Sequence, residues 1–337
     1  MSWEAHVLPM PKKFTRAKAL GFCGGHAAGM VEASNGKTQA CWWPNGQPEL
    51  LSLDDYKELQ VLSARADCIA GSWSKGRSGA GGAAVWRLHD GALAGTDLHD
   101  KKFERTWAEC AEHGLVLGVG IHKGGPRARA ADSGLVWRHG GVPQPVTAPG
   151  DVSLKATDGT RLAGSADGRA ALWPAVDAAP TDLGPAGFSS SEVYALDGEL
   201  QVGIAFKGIK ARAGLWRGTA SSFVDLTPDE YEVGRALHYS GGWQVGFVRR
   251  QDMTRNFSSS LADEAALWRG SKDDWFNLNS VLPPQSGLNA SVAWSIERNG
   301  DRVRICGEAS RYEISDAGTD RESHFVPEAR AVIWTTG

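Results

Sequence analysis

Seven tryptophans, at positions 43, 86, 137, 173, 216, 268 and 334, mark one phrase that recurs from end to end of the chain. Its clearest copy is Arg212-Ala213-Gly214-Leu215-Trp216-Arg217-Gly218, followed by Phe223-Val224-Asp225-Leu226-Thr227-Pro228. Ala170-Ala171-Leu172-Trp173 with Thr181-Asp182-Leu183-Gly184-Pro185 repeats it, as do Ala83-Ala84-Val85-Trp86 with Thr96-Asp97-Leu98 and Ala265-Ala266-Leu267-Trp268 with Phe276-Asn277-Leu278. Looser copies end at Trp43, Trp137 and Trp334, and successive tryptophans lie 43, 51, 36, 43, 52 and 66 residues apart. A small unit repeated at such spacing cannot bury its apolar face alone. It must stack on its neighbours, so the repeat decides the architecture before any other feature does.

Residues 191–228 give the strand count. Ser191 to Leu196 reads as a strand, Asp197-Gly198 as a hairpin turn, and Leu200 to Phe206 as the returning strand. Lys207-Gly208 turns into the strand that ends at Trp216, and a fourth strand lies around Phe223 to Leu226. Four short antiparallel strands per unit is the make-up of a propeller blade, and no stretch shows the i, i+3, i+4, i+7 spacing of a helical solenoid. The expectation is an all-β chain: a single domain over 1–337, a seven-bladed β-propeller of four-stranded antiparallel blades. The blades fall at 16–53, 59–99, 105–149, 151–185, 191–228, 235–280 and 291–337. The last unit is one strand short, and residues 1–10, with Trp3 to Pro9 resembling a fourth strand, supply the closing strand. The tryptophans are expected to be core, each ring buried where the third strand meets the next blade.

The pattern Gly…Ala-x-Leu-Trp-x-Gly…Asp-Leu-x-Pro resembles the bacterial repeat family named for a His-Ala-Phe motif and described as extracellular repeats. The resemblance is clearest in 151–228 and 261–280, and it implies a β-propeller. It reaches the repeat and no active site. The His-Ala-Phe tripeptide itself does not precede the tryptophans of this chain.

Bulk properties narrow the setting. The net charge of −3 gives no drive toward nucleic acid or acidic lipid. No apolar run reaches the ~18–20 residues of a membrane span. The start, Met1-Ser2-Trp3-Glu4-Ala5-His6, lacks the basic-then-apolar plan of a secretory signal. The five cysteines (23, 41, 68, 110 and 306) are odd in number and scattered, which points to reduced thiols and a cytoplasmic protein; a bacterial source is what the resemblance implies.

Two regions could carry function. The expected loops between second and third strands are long at 122–133, 249–264 and 309–328, and long loops on a rigid scaffold are where binding concentrates. They carry Lys123, Arg127 and Arg129, then Arg249, Arg250 and Arg255, then Arg311 and Arg321, with acids interleaved in the last two. This suits a protein partner, and the reading preferred here is a protein-binding scaffold, of which an immunity or inhibitor protein is one version. The second region is the axis, lined by first strands, where alternation would turn Glu112, Lys155, Glu192, Tyr194 and His238 inward. Those groups could serve a lyase or hydrolase by acid–base work. A one-residue slip in register would turn them all away. A carbohydrate-binding lectin is the third reading, opposed by the assignment of most tryptophans to the core.

Other motifs lead nowhere. Gly71-Ser72-Trp73-Ser74-Lys75-Gly76-Arg77-Ser78 imitates a phosphate loop, but a strand follows where a helix is required. Gly118-Val119-Gly120-Ile121-His122-Lys123-Gly124 lacks dinucleotide-motif spacing. The nine histidines form no HExxH or zinc-spaced cluster, and no GxSxG elbow occurs, so no metal or cofactor is expected.

Overall fold

The computed structural model describes residues 2–75, 81–123, 133–138, 141–146, 148, 150–250, 263–314 and 323–336, the side chains of 312–314 and 323–327 excepted. It is all-β, with a few short 3-10 turns. Four-stranded antiparallel units follow one another along the chain. Their first strands are Phe14–Cys23, Glu58–Arg65, Phe103–Glu112, Val152–Thr157, Ser190–Asp197, Val233–Ser240 and Ala290–Asn299. In the best-formed unit, Ser190–Asp197 pairs with Leu200–Lys207, which pairs with Lys210–Trp216, which pairs with Val224–Asp225. The last unit takes its outer strand from the other end of the chain: Trp3–Val7 pairs with Ser323–Thr336 from Trp3 opposite Thr336 to Val7 opposite Val332.

Each element of the repeated phrase has its own task. All seven tryptophans at the ends of third strands are fully buried. Their rings lie against the preceding unit, not the next one as the sequence suggested: Trp216 packs on Ala163 and Leu172, and Trp268 on Val202 and Leu215. Four of the indole N–H groups find a carbonyl in the segment that leaves the previous unit: that of Trp137 donates to Leu98 at 3.0 Å, that of Trp334 to Leu278 at 3.2 Å, and those of Trp43 and Trp86 to Pro9 and Ser52. Those of Trp173, Trp216 and Trp268 have no partner among the described residues. A large ring is buried at low cost when its one polar atom finds an acceptor.

The Asp-Leu pair divides its work between turn and core. The Asp182 carboxylate accepts from the Gly184 N–H at 2.7 Å, Asp225 from Thr227 at 2.9 Å, and Asn277 from Asn279 at 2.9 Å. This side-chain turn steers the chain toward the next first strand. The following leucines, 98, 183, 226 and 278, are buried. The second carboxylate oxygen holds the third strand from outside, with Arg169 Nε 2.9 Å from Asp182 and Arg212 Nε 2.7 Å from Asp225.

Each first strand lies beside the first strands of the units before and after it, and Ala290–Asn299 lies beside Phe14–Cys23. The first and last units share a core in which Trp43 packs with Cys306 and Ala331. A parallel bridge joins Arg16 to Ala329. No helix among the described residues is long and apolar enough to cross a membrane.

Candidate functional site

A β-bulge interrupts every first strand at the same point in its unit. Pairing skips Leu20, Leu62, Glu109, Lys155, Tyr194, Leu237 and Trp294 in turn. Opposite each bulge the second strand carries glycine: Gly29, Gly71, Gly118, Gly164, Gly203, Gly246 and Gly307. A Cβ there would stand between 1.8 and 2.0 Å from the carbonyl oxygen of the residue two places before the bulge. The glycine lets the bulged strand settle onto its partner, and the bulge re-aims its own side chain.

The re-aimed side chains meet at the axis. All seven line one chamber of about 370 Å³ together with Lys18, Arg65, Glu192, Arg235 and His238. A second chamber of about 350 Å³ adjoins it, sharing Arg65 and His238 and lined by Glu112, Asp158, Asp197 and Glu297 near the ends of first strands. Of the residues expected at the axis, Lys155, Glu192, Tyr194 and His238 share the first chamber and Glu112 lines the second.

These groups are largely engaged with one another. Lys155 Nζ lies 3.1 Å from Glu109 Oε2, and Arg65 Nη1 donates to Glu112 Oε2 at 3.0 Å. Ser153 Oγ donates to Glu192 Oε1 at 2.8 Å. Burial, reinforced by the Glu192 charge, raises the Tyr194 phenol above its ordinary range. Burial, reinforced by the Arg65 charge, holds the His238 imidazole well below its ordinary value, and its Nδ1 accepts from the Ile296 N–H at 3.4 Å. His238 is therefore neutral, with its proton on Nε2.

Toward the starts of the first strands the chamber opens into a groove. A space of about 410 Å³ shares Leu62 and Glu109 with the axial chamber and runs past Trp107, Arg105 and Trp73. It shares Glu58 and Ser74 with a third space, of about 510 Å³, bounded by Lys37, Tyr56, Lys57 and Lys75. Tyr56 and Trp73 stack with ring centroids 4.0 Å apart and planes 2° from parallel. Asp97 fixes both, accepting from Trp73 Nε1 at 2.8 Å and Tyr56 Oη at 3.1 Å. Lys75 Nζ lies 5.5 Å from the Tyr56 ring and 5.7 Å from that of Trp73.

The basic loop residues are placed less informatively. Arg127, Arg129, Arg255 and Arg321 lie outside the described residues, as does most of each long loop. Lys123, Arg250 and Arg311 are exposed. Arg249 Nε is 2.6 Å from Asp263, and the Arg250 guanidinium covers the Tyr231 ring at 4.6 Å. Both arginines are thus held by their own chain. Among the described residues no three of His, Cys, Asp and Glu gather as a metal site.

No protein-family model and no curated protein matches the chain. Solved structures do. An acylaminoacyl peptidase in complex with a chloromethyl ketone superposes with a TM-score of 0.55 at 12% identity, over 95% of this chain and 52% of that one. The acylaminoacyl peptidase of Pyrococcus horikoshii gives 0.53 at 12% identity, over 93% and 52%. The β-propeller domain of the trilobed protease from Pyrococcus furiosus gives 0.40 at 10% identity, over 80% and 97%. The chain spans about half the length of the two peptidases. At these identities the likeness is one of fold alone: an all-β chain with β-propellers as its structural neighbours.

Proposed function

We propose that the chain is a closed seven-bladed β-propeller that works as a protein-binding module, taking an extended segment of its partner along the groove and into the axial channel. Support for closure comes from the N-terminal strand in the last unit and from the core that Trp43 shares with Cys306 and Ala331. The observation that carries the binding reading is the continuity of the groove. Each space shares residues with the next, from Lys37 and Tyr56 at the rim to Arg235 at the axis. An extended chain offers a π-face or an apolar side chain every few ångströms. The aromatics Tyr56, Trp73, Trp107 and Trp294 are spaced along that path, with Lys75 and Arg105 between them.

The chemistry of the axis favours binding over catalysis. Glu109 and Glu112 neutralise Lys155 and Arg65, so neither carboxylate is poised for proton transfer. The Ser153 hydroxyl is held by a carboxylate, which is too weak a base to activate it. Sugar binding is disfavoured because the seven repeat tryptophans are spent on the core.

The test is capture of a partner from host lysate, followed by cross-linking and mass spectrometry, with Arg105→Glu/Trp107→Ala as the altered form. Removing one aromatic anchor and reversing a rim charge should weaken capture by about 30-fold or more, equivalent to at least about 2 kcal/mol, at unchanged melting temperature. Undiminished capture, or cross-links confined to the opposite face, would exclude the groove.

A further inference from the structure

The axial chamber is unequal from side to side and from end to end. Bulge residues of consecutive units around the ring, Leu237, Trp294, Leu20 and Leu62, make one wall apolar. The remaining three, Glu109, Lys155 and Tyr194, make the facing wall polar. That polar wall is mostly self-satisfied through the Lys155–Glu109 pair and the Ser153–Glu192 hydrogen bond.

Two cations are left over. Arg235 is half-buried, and its Nε is shielded from water with no acceptor among the described residues. The Phe247 ring lies 5.9 Å from its guanidinium carbon, and its charge also reaches Tyr194 across the chamber. Lys18 Nζ lies 5.6 Å from the Trp294 ring centroid. A guanidinium N–H that has lost water without gaining an acceptor weakens the fold, and a ligand oxyanion would restore what is missing.

Cations without an ion-pair partner among the described residues gather at one end of the axis. Lys18, Arg65, Lys155 and Arg235 line the first chamber against Glu109 and Glu192, so it is cationic even when Glu112, which holds Arg65, is counted. Beyond Arg65 and His238, the second chamber is lined by Glu112, Asp158, Asp197 and Glu297, and three of these are paired: Glu112 with Arg65, Asp158 with Arg161 and Glu297 with Arg304. An anionic group drawn in from the groove is attracted as far as Arg235 and finds no unpaired cation beyond it among the described residues.

We infer that the axial chamber captures the C-terminal carboxylate of the bound segment, with Arg235 and Lys18 holding the oxyanion and the Leu20–Leu62–Leu237–Trp294 wall receiving an apolar last side chain. This rests on the groove reading above and adds which end of the segment enters. The second chamber's own arginines are already taken, Arg65 by Glu112 and Arg298 by the Gly241 and Gly300 carbonyls, so a chain that ends in a carboxylate stops at Arg235. Recognition of a chain end by a basic pocket with an apolar neighbour is selective because only one carboxylate per partner is followed by no further backbone.

The experiment compares two pools of fluorescein-labelled octapeptides by anisotropy. Both end in leucine and are random elsewhere, one as the free acid and one as the C-terminal amide. The free-acid pool should bind about tenfold tighter, a difference worth roughly one charge-assisted hydrogen bond. Arg235→Met should abolish the preference, and Arg235→Lys should restore part of it. Should Arg235→Met fail to fold, the acid–amide comparison on the wild-type protein still decides the matter. Equal binding of the two pools would overturn carboxylate capture while leaving the groove in place. Binding of neither pool would overturn both. If N-acetylleucine or phenyl phosphate binds as tightly as the free-acid peptides, the chamber holds a free small oxyanion and the peptide terminus is excluded.

Discussion

Replacing Gly203 with alanine should be among the most damaging single-methyl additions the chain can receive. The new Cβ would lie 1.9 Å from the Glu192 carbonyl oxygen and 2.9 Å from both its carbon and the Val193 Cα, all of them backbone atoms. Ordinary packing begins near 3.4 Å, so the two strands must part by about 1.5 Å, and no rotamer change relieves a backbone clash. Parting them strains the ladder around the Val193–Gly203 and Ala195–Val202 pairs, at about 1 kcal/mol for each hydrogen bond lost and about 1–3 kcal/mol for overpacking. Against this, alanine restricts the unfolded chain, which returns about 0.4–1 kcal/mol. The net loss is about 2–4 kcal/mol, read from the shift of the urea midpoint at unchanged m-value. Gly218→Ala is the control. Its φ of +72° is left-handed, but nothing lies within 4 Å of the new methyl, so only about 1 kcal/mol of backbone strain opposes the same entropic gain. The bulge argument fails if Gly203→Ala is no more destabilising than Gly218→Ala. It also requires Gly203→Ala to weaken free-acid peptide binding, because the bulge it disturbs aims Tyr194.

His238 gives a pH test. Its folded pKa is depressed, so the unfolded chain takes up a proton that the folded one refuses. The contribution to stability is complete above the unfolded value of about 6.5 and is lost as pH falls from there toward the folded pKa. The melting-temperature difference between wild type and His238→Gln should therefore shift in favour of the variant below that pH, and a pH-independent difference would refute the assignment. Arg65→Met removes the second cause of the shift and should raise the His238 titration point seen by imidazole NMR. Burial, the larger cause, should keep it below the ordinary value. All five cysteines are free and buried, with Cys23, Cys41 and Cys68 pushed up to about 12 and Cys110 to about 11. A thiol reagent at pH 8 should find none of them in the native protein and all five in denaturant; prompt native reaction would contradict that burial.

The repeat was legible because its residues answer to local rules. A buried ring needs a partner surface, Asp225 and Asp182 make side-chain turns, and the leucines after them fill the core. The direction in which the tryptophans face was not legible, since nothing within one unit says which neighbour will supply the surface that buries the ring. At the axis, simple alternation was enough to name Glu192 and Tyr194, but it missed Lys18, Glu109 and Arg235. Strict period two fails at a bulge, and residues before and after it then follow different phases. The sequence does hold the missing signal. In all but the last unit the bulge residue lies nine positions before the second-strand glycine, from Leu20 and Gly29 to Leu237 and Gly246. Lining up the glycines rather than the tryptophans would have fixed the register.

That offset also separates what the repeat conserves within itself from what it leaves free. The glycine and the tryptophan satisfy backbone and packing demands that are the same in every unit, so they recur. The bulge position points into a shared cavity and carries no such demand. Its occupants accordingly run through leucine, glutamate, lysine, tyrosine and tryptophan. If the cavity only needed filling, apolar residues would do at all seven places and would avoid the desolvation cost of Glu109 and Lys155. The chain instead gathers its polar choices in three consecutive units and its apolar ones in the other four. A chamber lined by near-identical units thus acquires one polar and one apolar side, as recognition of an amphiphilic chain end requires and a structural plug does not. Arg235, two residues before the bulge residue Leu237 that begins the apolar run, stands at the border between the two sides. The paired changes Leu62→Glu and Glu109→Leu interrupt both walls, so they should weaken binding of leucine-ended peptides while retaining the fold, and unchanged affinity would show that the two-sidedness plays no part in recognition.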